Sequence, residues 1–142
     1  MAIYIVYDTA TGVIRRTGSC PDDMVSVQPQ SGQSVMQGQA DNSTQYISGG
    51  LVTNKPALGA TIDLTTVVAN GVAVVTISNL TGVTNYRVIG PIISDNIGPT
   101  ASTGSVSEGT LQVDFDLPGT YLILLEAVNK LSQTFTITAT AP

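Results

Sequence analysis

Short runs rich in Val, Ile, Thr and Tyr recur along the chain, separated by turns that carry Gly, Pro and Asn. Residues 3–7 and 13–17 flank DTATG and predict a β-hairpin with a loop of about five residues. Gly12 is free to take the left-handed backbone position there, and Asp8 can close the turn by bonding amides ahead of it. Cys20-Pro21-Asp22-Asp23-Met24 predicts a loop or one helical turn, with Pro21 and the acidic pair placed as a helix start favours. Residues 28–39 are rich in Gln, Ser and Gly, with a weak strand at 34–36. Residues 46–52 predict a second hairpin with Gly49-Gly50 at its tip, and Lys55-Pro56 ends it. Residues 1–56 thus read as two hairpins joined by a loose middle.

From residue 57 the alternation becomes regular. Strands are predicted at 61–65, 72–78, 86–89, 110–116, 119–125 and 133–140. Turn signals between them are Asn70-Gly71, Thr81-Gly82, Gly98-Pro99, Glu108-Gly109, Pro118-Gly119 and Asn129-Lys130. Period-2 alternation sends Leu111, Val113, Phe115 and Leu117 to one face. The tract 92–105 reads as an exposed loop suited to making contacts. The expected architecture is all-β, an N-terminal two-hairpin module (1–56) followed by a small Ig-like β-sandwich (57–142). Two hairpins without a disulfide or metal have a thin core and open strand edges, so the first module is expected to dock on a partner, a copy of itself or the second module.

Composition agrees with the all-β expectation. The 142 residues include 16 Val, 12 Ile and 19 Thr against 2 Glu and 2 Lys, and β-branched residues suit pleated sheets better than helices. The surface is neutral and hydrogen-bonding rather than charged, as in proteins that meet other proteins over wide areas. Five Lys and Arg against ten Asp and Glu leave a net charge of −5, which speaks against a nucleic-acid partner because phosphate neutralisation needs clustered basic residues. The opening residues lack a basic region and break at Asp8, and residues 121–125 are far shorter than the roughly 20 apolar residues of a membrane span. The expectation is synthesis in a cytoplasm with neither a targeting segment nor membrane insertion.

The chemistry-bearing residues are few. With no His and one Cys, the usual general base, Cys-based zinc sites and His-assisted nucleophiles are missing. Phosphate-loop, dinucleotide and nucleophile-elbow motifs are absent; GSVSEG at 104–109 misses the last of these by one residue. DTATG is not the Asp-Thr-Gly triplet of aspartic proteases. Asp22-Asp23 and Asp114 with Asp116 are carboxylate pairs, but no calcium-loop spacing accompanies them, and each is read as turn capping or a polar strand face. Cys20 reads as a small semi-buried apolar residue. No enzyme activity, cofactor or metal is expected. Tyr4, Tyr7 and Tyr46 on the hairpins, with Leu51, are the candidate protein-interface residues, weighed against core packing for at least two of the tyrosines.

The order of features in 1–56 resembles the opening of small tailed-bacteriophage virion proteins encoded among tail and tail-fibre genes. The matching residues are Tyr4, Asp8, Thr11, Gly12, Gly18, Cys20, Pro21, Met24, Gly32, Val35, Thr44, Tyr46, Lys55 and Pro56. The remainder resembles the Ig-like repeats of phage and bacterial surface proteins through Ala69, Gly71, Pro118, Gly119, Thr120 and Tyr121. Where many of those repeats place acidic residues after the Ala-x-Gly turn, this chain has Val72-Ala73-Val74-Val75, which predicts a more buried strand. The resemblance implies a non-enzymatic virion component assembled in a bacterial host's cytoplasm, at the tail tip, baseplate or fibre attachment. Its implied partners are other virion proteins, whether tail, fibre or capsid subunits, and further copies of itself. A capsid decoration protein is the first alternative. An adhesin-like Ig domain contacting host-surface glycans is the second.

Overall fold

The computed structural model describes residues 1–91, 101–107 and 109–142. The chain forms two compact units, Met1–Pro56 with Asn129–Leu131, and Ala57–Val128 with Ser132–Pro142. In the first unit, β1 (Ala2–Asp8) lies between β2 (Ile14–Cys20) and β3 (Gln33–Gln37), and both pairings are antiparallel. A 3-10 helix (Asp22–Val27) follows Pro21, and β4 (Gln45–Ser48) and β5 (Leu51–Asn54) form a separate hairpin. Gly49 and Gly50 at its tip have φ of 58° and 77°, the two positive values that a type I′ turn requires.

The central strand is buried on both of its faces. Tyr4 and Val6 pack with Cys20, Val35 and Val25 of the 3-10 helix. Ile5 and Tyr7 pack on the other side with Ile14 of β2, Met36 of β3, and Ile47 and Val52 of the hairpin. Residues 28–39 are therefore not a loose connector: they supply β3 and so complete a helix-sheet-hairpin stack. Ile5 and Val6 are fully buried, and a buried aliphatic side chain contributes about 1.5–3 kcal/mol.

Two glycines hold this stack together. Gly12 has φ 79°, its N–H bonds the Asp8 carbonyl at 2.8 Å, and its own carbonyl accepts the Ile47 N–H at 2.9 Å. A Cβ at Gly12 would collide with the Ile47 carbonyl oxygen, so the close approach of the hairpin to the β1–β2 turn needs glycine. Gly18 stands opposite Tyr4 in the ladder, and a Cβ there would lie 2.8 Å from the Tyr4 Oη. The ring covers a position that has no side chain of its own.

The second unit contains β6 (Thr61–Ile62), β7 (Thr66–Val68), β8 (Val74–Leu80), β9 (Thr84–Ile89), β10 (Ala101–Val106), β11 (Gly109–Asp114), β12 (Gly119–Ala127) and β13 (Gln133–Thr140). One sheet has the order β10-β9-β12-β13-β7 and the other β11-β8-β6. Only β7, which runs parallel to β13, departs from antiparallel pairing. Inward residues of both sheets, including Val75, Ile77, Leu111, Ile123, Leu125 and Ile137, join in one hydrophobic cluster. Gln133 ties the entering segment to β13 twice, accepting the Ala60 N–H at 3.0 Å and donating to the Ala60 carbonyl at 2.9 Å.

Several sequence expectations change here. The tract 92–105 is not wholly a loop, since Ala101–Val106 is strand β10; residues 92–100, with the Gly98-Pro99 turn, and Glu108 of the Glu108-Gly109 turn lie outside the described residues. β7 also lies where no strand is expected. The alternation after Leu111 holds through Phe115 but fails at Leu117, which is 53% exposed because β11 ends at Asp114. The extra burial expected over Val72-Ala73-Val74-Val75 is met at Val75, which is fully buried, and fails at Val72, which is 79% exposed, lying in a turn where Asn70 Oδ1 accepts the Val72 and Ala73 N–H groups.

Gly12→Ala is expected to destabilise the first unit by about 2–3 kcal/mol, since positive-φ strain adds to a backbone collision. Gly32→Ala, at φ 79° with no atom within 4 Å of the added Cβ, is expected to cost only about 1 kcal/mol. Urea unfolding of the two full-length variants checks the difference.

Candidate interaction site

The β1–β2 turn and the β4–β5 tip border a cleft of about 390 Å³, lined by Tyr7, Thr9, Thr11, Gly12, Tyr46 and Ser48 among others. Backbone bonds fix the β1–β2 turn beside it: the Asp8 N–H donates to the Val13 carbonyl at 2.9 Å, and the Thr9 N–H to the Gly32 carbonyl at 3.0 Å. Thr9 Oγ1 and Ser34 Oγ share a hydrogen bond of 2.6 Å. No carboxylate, ammonium or guanidinium group is among the residues that line this cleft. Its lining offers phenol and alcohol hydroxyls, backbone groups and small apolar surfaces.

The four candidate interface residues fall in different places. Tyr4 is 9% exposed and belongs to the core on the helix side of the sheet. Tyr7 and Tyr46 are half-buried and both line the cleft. Leu51 is 70% exposed. Cross-strand pairing sets Tyr46 opposite Thr53, Ile47 opposite Val52 and Ser48 opposite Leu51. With Ile47 and Val52 turned to the core, period-2 alternation puts Tyr46, Ser48, Leu51 and Thr53 together on the hairpin's outer face. Tyr4 and Tyr7 are an odd number of residues apart on one strand, which forces them to opposite faces.

Asp8 plays a different part from the one expected. Its carboxylate does not bond the turn amides; it accepts from Arg15 Nε at 2.8 Å and from a second guanidinium nitrogen. The turn closes through the Gly12 N–H and through Thr11 Oγ1, which accepts the Val13 N–H at 3.2 Å. The Arg15 hydrogen bond holds the Asp8 carboxyl below the ordinary carboxylate pKa, opposed by desolvation and aided by the Arg15 charge. Asp41 is lowered likewise, first by the Ser43 hydroxyl and then by the Ser43 N–H.

A second cleft, of about 430 Å³, lies in the second unit and is lined by Tyr86, Gln112, Asp114, Asp116 and Tyr121 among others. Phe115 and Tyr121 pack at 4.5 Å between centroids, and the Tyr121 hydroxyl donates to the Leu117 carbonyl at 2.8 Å. Burial pushes the Tyr121 hydroxyl pKa up, against the hydrogen bond to Leu117. Among the described residues no group of three or more His, Cys, Asp or Glu is placed to hold a metal, and no helix is long and apolar enough to cross a membrane. Sequence reasoning missed the role of the Tyr86 and Gly104 pair: Gly104 is opposite Tyr86 in the ladder, and a Cβ there would lie 2.6 Å from the Tyr86 Cζ. The signal, a strand tyrosine facing a glycine, is visible only once the register is known.

Because the folded Asp8 pKa is depressed, its pairing stabilises the fold above the unfolded value of about 3.9 and is lost as pH falls through the folded value. Asp8→Asn is therefore expected to lower the urea midpoint at neutral pH and to converge with the wild type as the pH falls through the lowered Asp8 value. Urea midpoints of the two proteins across that range check it. No protein-family model, curated protein or solved structure matches the chain.

Proposed function

We propose that the chain is a non-enzymatic structural protein of a tailed-bacteriophage virion, a tail-tip, baseplate or tail-fibre accessory that acts by protein–protein assembly. The observation that carries this reading is the outer face of the β4–β5 hairpin, where Leu51 is 70% exposed on the same side as Tyr46, beside a neutral hydroxyl-lined cleft. Tyrosine is enriched at protein contacts, and the exposed Leu51 beside it adds apolar surface that a partner can cover. The order of turns and strands in 1–56 supports a virion assignment through the resemblance of its motifs. In the first unit the residues that carry that resemblance include Gly12 and Gly18, both at close backbone or ring approaches.

The second unit is read as an Ig-like β-sandwich that projects from or braces the attached part. Three features support that reading: two sheets around one core, an entering segment that gives β6 to one sheet and a parallel β7 to the other, and Tyr121. The last sits near the start of its strand and bonds a backbone carbonyl four residues upstream, as the tyrosine corner of such folds does.

In particles of the phage that encodes the chain, the expected abundance is roughly a few to a few tens of copies, as suits a closed symmetric appendage. Quantitative mass spectrometry against the major capsid protein measures it. Leu51→Asp is expected to reduce incorporation at least about tenfold while leaving the soluble protein folded. Undiminished incorporation removes the hairpin face from the account, copy numbers in the hundreds move the protein to the head lattice, and absence from particles overturns the virion reading.

A further inference from the structure

The five-stranded sheet of the second unit has two unlike edges. β7 closes one edge with three residues. At the other, β10 runs for six residues in unbroken register with β9, and its sequence ASTGSV has neither charge nor proline. In the companion sheet, β6 has two residues, while β11 carries Asp114 and a register shift. Edge strands are ordinarily protected by shortness, charge, proline or a bulge. β10 has none of these, and among the described residues β9 is the sole strand hydrogen-bonded to it.

We propose that β10 is a self-pairing edge: it joins β10 of a second copy in antiparallel fashion about a two-fold axis through Gly104. The proposal concerns the second unit alone and does not depend on where the protein acts. Successive residues of a strand turn their backbone N–H and C=O groups to alternate edges, so two-fold antiparallel partners pair only when the axis passes through a residue rather than between two. An axis at Gly104 uses Ser102 through Val106 and places Thr103 opposite Ser105 of the second copy, twice. Thr103 and Ser105 are exposed, and cross-strand hydroxyl pairs of this kind stabilise a ladder. No like charges meet anywhere along the seam.

The inner side of the seam is also prepared. Gly104 leaves room at the axis, and the phenol end of Tyr86 already lies over it, so each copy brings an aromatic cap to a glycine pair that has no side chains. The product is a continuous sheet of ten strands, five from each copy. A seam of this length buries less than a standard interface, so the expected dissociation constant is of order 10–100 µM.

Sedimentation equilibrium of the full chain tests the proposal, with circular dichroism as the check on folding. Thr103→Glu stands opposite Arg87 within its own chain, so it is tolerated by the monomer. The double variant T103E/S105E then sets two Glu-Glu pairs against each other in the dimer and is expected to weaken it at least about tenfold. T103E/S105K sets two Glu-Lys pairs there and is expected to dimerise as well as the wild type or better. A wild type that stays monomeric to about 1 mM, or a T103E/S105E dimer as tight as the wild type, overturns self-pairing at β10. Equal loss of dimer in both double variants overturns the Gly104 register.

Discussion

The first unit depends on one strand having no solvent side. β1 presents Tyr4 and Val6 to one face and Ile5 and Tyr7 to the other, and both faces carry core contacts. A strand of this kind cannot be satisfied by one hairpin partner, because a two-stranded ribbon leaves one face and one edge in water. The chain between the two hairpins therefore has to supply cover. It does so with β3 along the free edge and Val25 of the 3-10 helix across one face, while Ile47 and Val52 of the second hairpin cover the other. Gly12 makes this geometry possible, since any larger residue would drive the hairpin off the turn beneath it.

A second regularity links the two units without requiring that they touch. In each, a tyrosine on an inner strand lies over a glycine on the adjoining edge strand, Tyr4 over Gly18 of β2 and Tyr86 over Gly104 of β10. Glycine weakens a strand because it has greater freedom to lose and no side chain to pack. A neighbouring ring offsets part of that cost by covering the bare backbone. Around Gly104 the edge strand β10 is small and neutral, whereas β2 carries Arg15 and Arg16 beside its glycine. The low charge content of 11% leaves a surface built largely from Thr, Ser, Asn and Gln.

Much of the fold was legible wherever the sequence alternates or places Gly in a tight turn. β12, β13, the Gly49-Gly50 hairpin and the Gly12 turn all lie where the pattern predicts them. β10 was not legible, because ASTGSV has little hydrophobic periodicity, and β7 was missed because its three residues give too short a pattern. Val72 looked like a core residue, but the Asn70 side chain turns the backbone there before β8 begins. The interaction site was half visible. Counting residues separates Tyr4 from Tyr7, whereas the placing of Tyr7 and Tyr46 along one cleft goes with a long-range backbone bond from Ile47 to Gly12 that no local pattern encodes. Asp8 and Arg15 were likewise readable as charges, but their pairing needed the register of β1 against β2.

The double burial of β1 is tested most directly by amide hydrogen exchange along the first unit of the full-length protein. Burial on both faces and pairing on both edges predict that the Ile5 and Val6 amides exchange more slowly than any in β4 or β5, at the rate of global unfolding of that unit. Exchange at Ile5 and Val6 as fast as at Leu51–Asn54 would contradict it, because a strand that opens that readily cannot be the element on which the hairpin, the helix and both neighbouring strands are assembled.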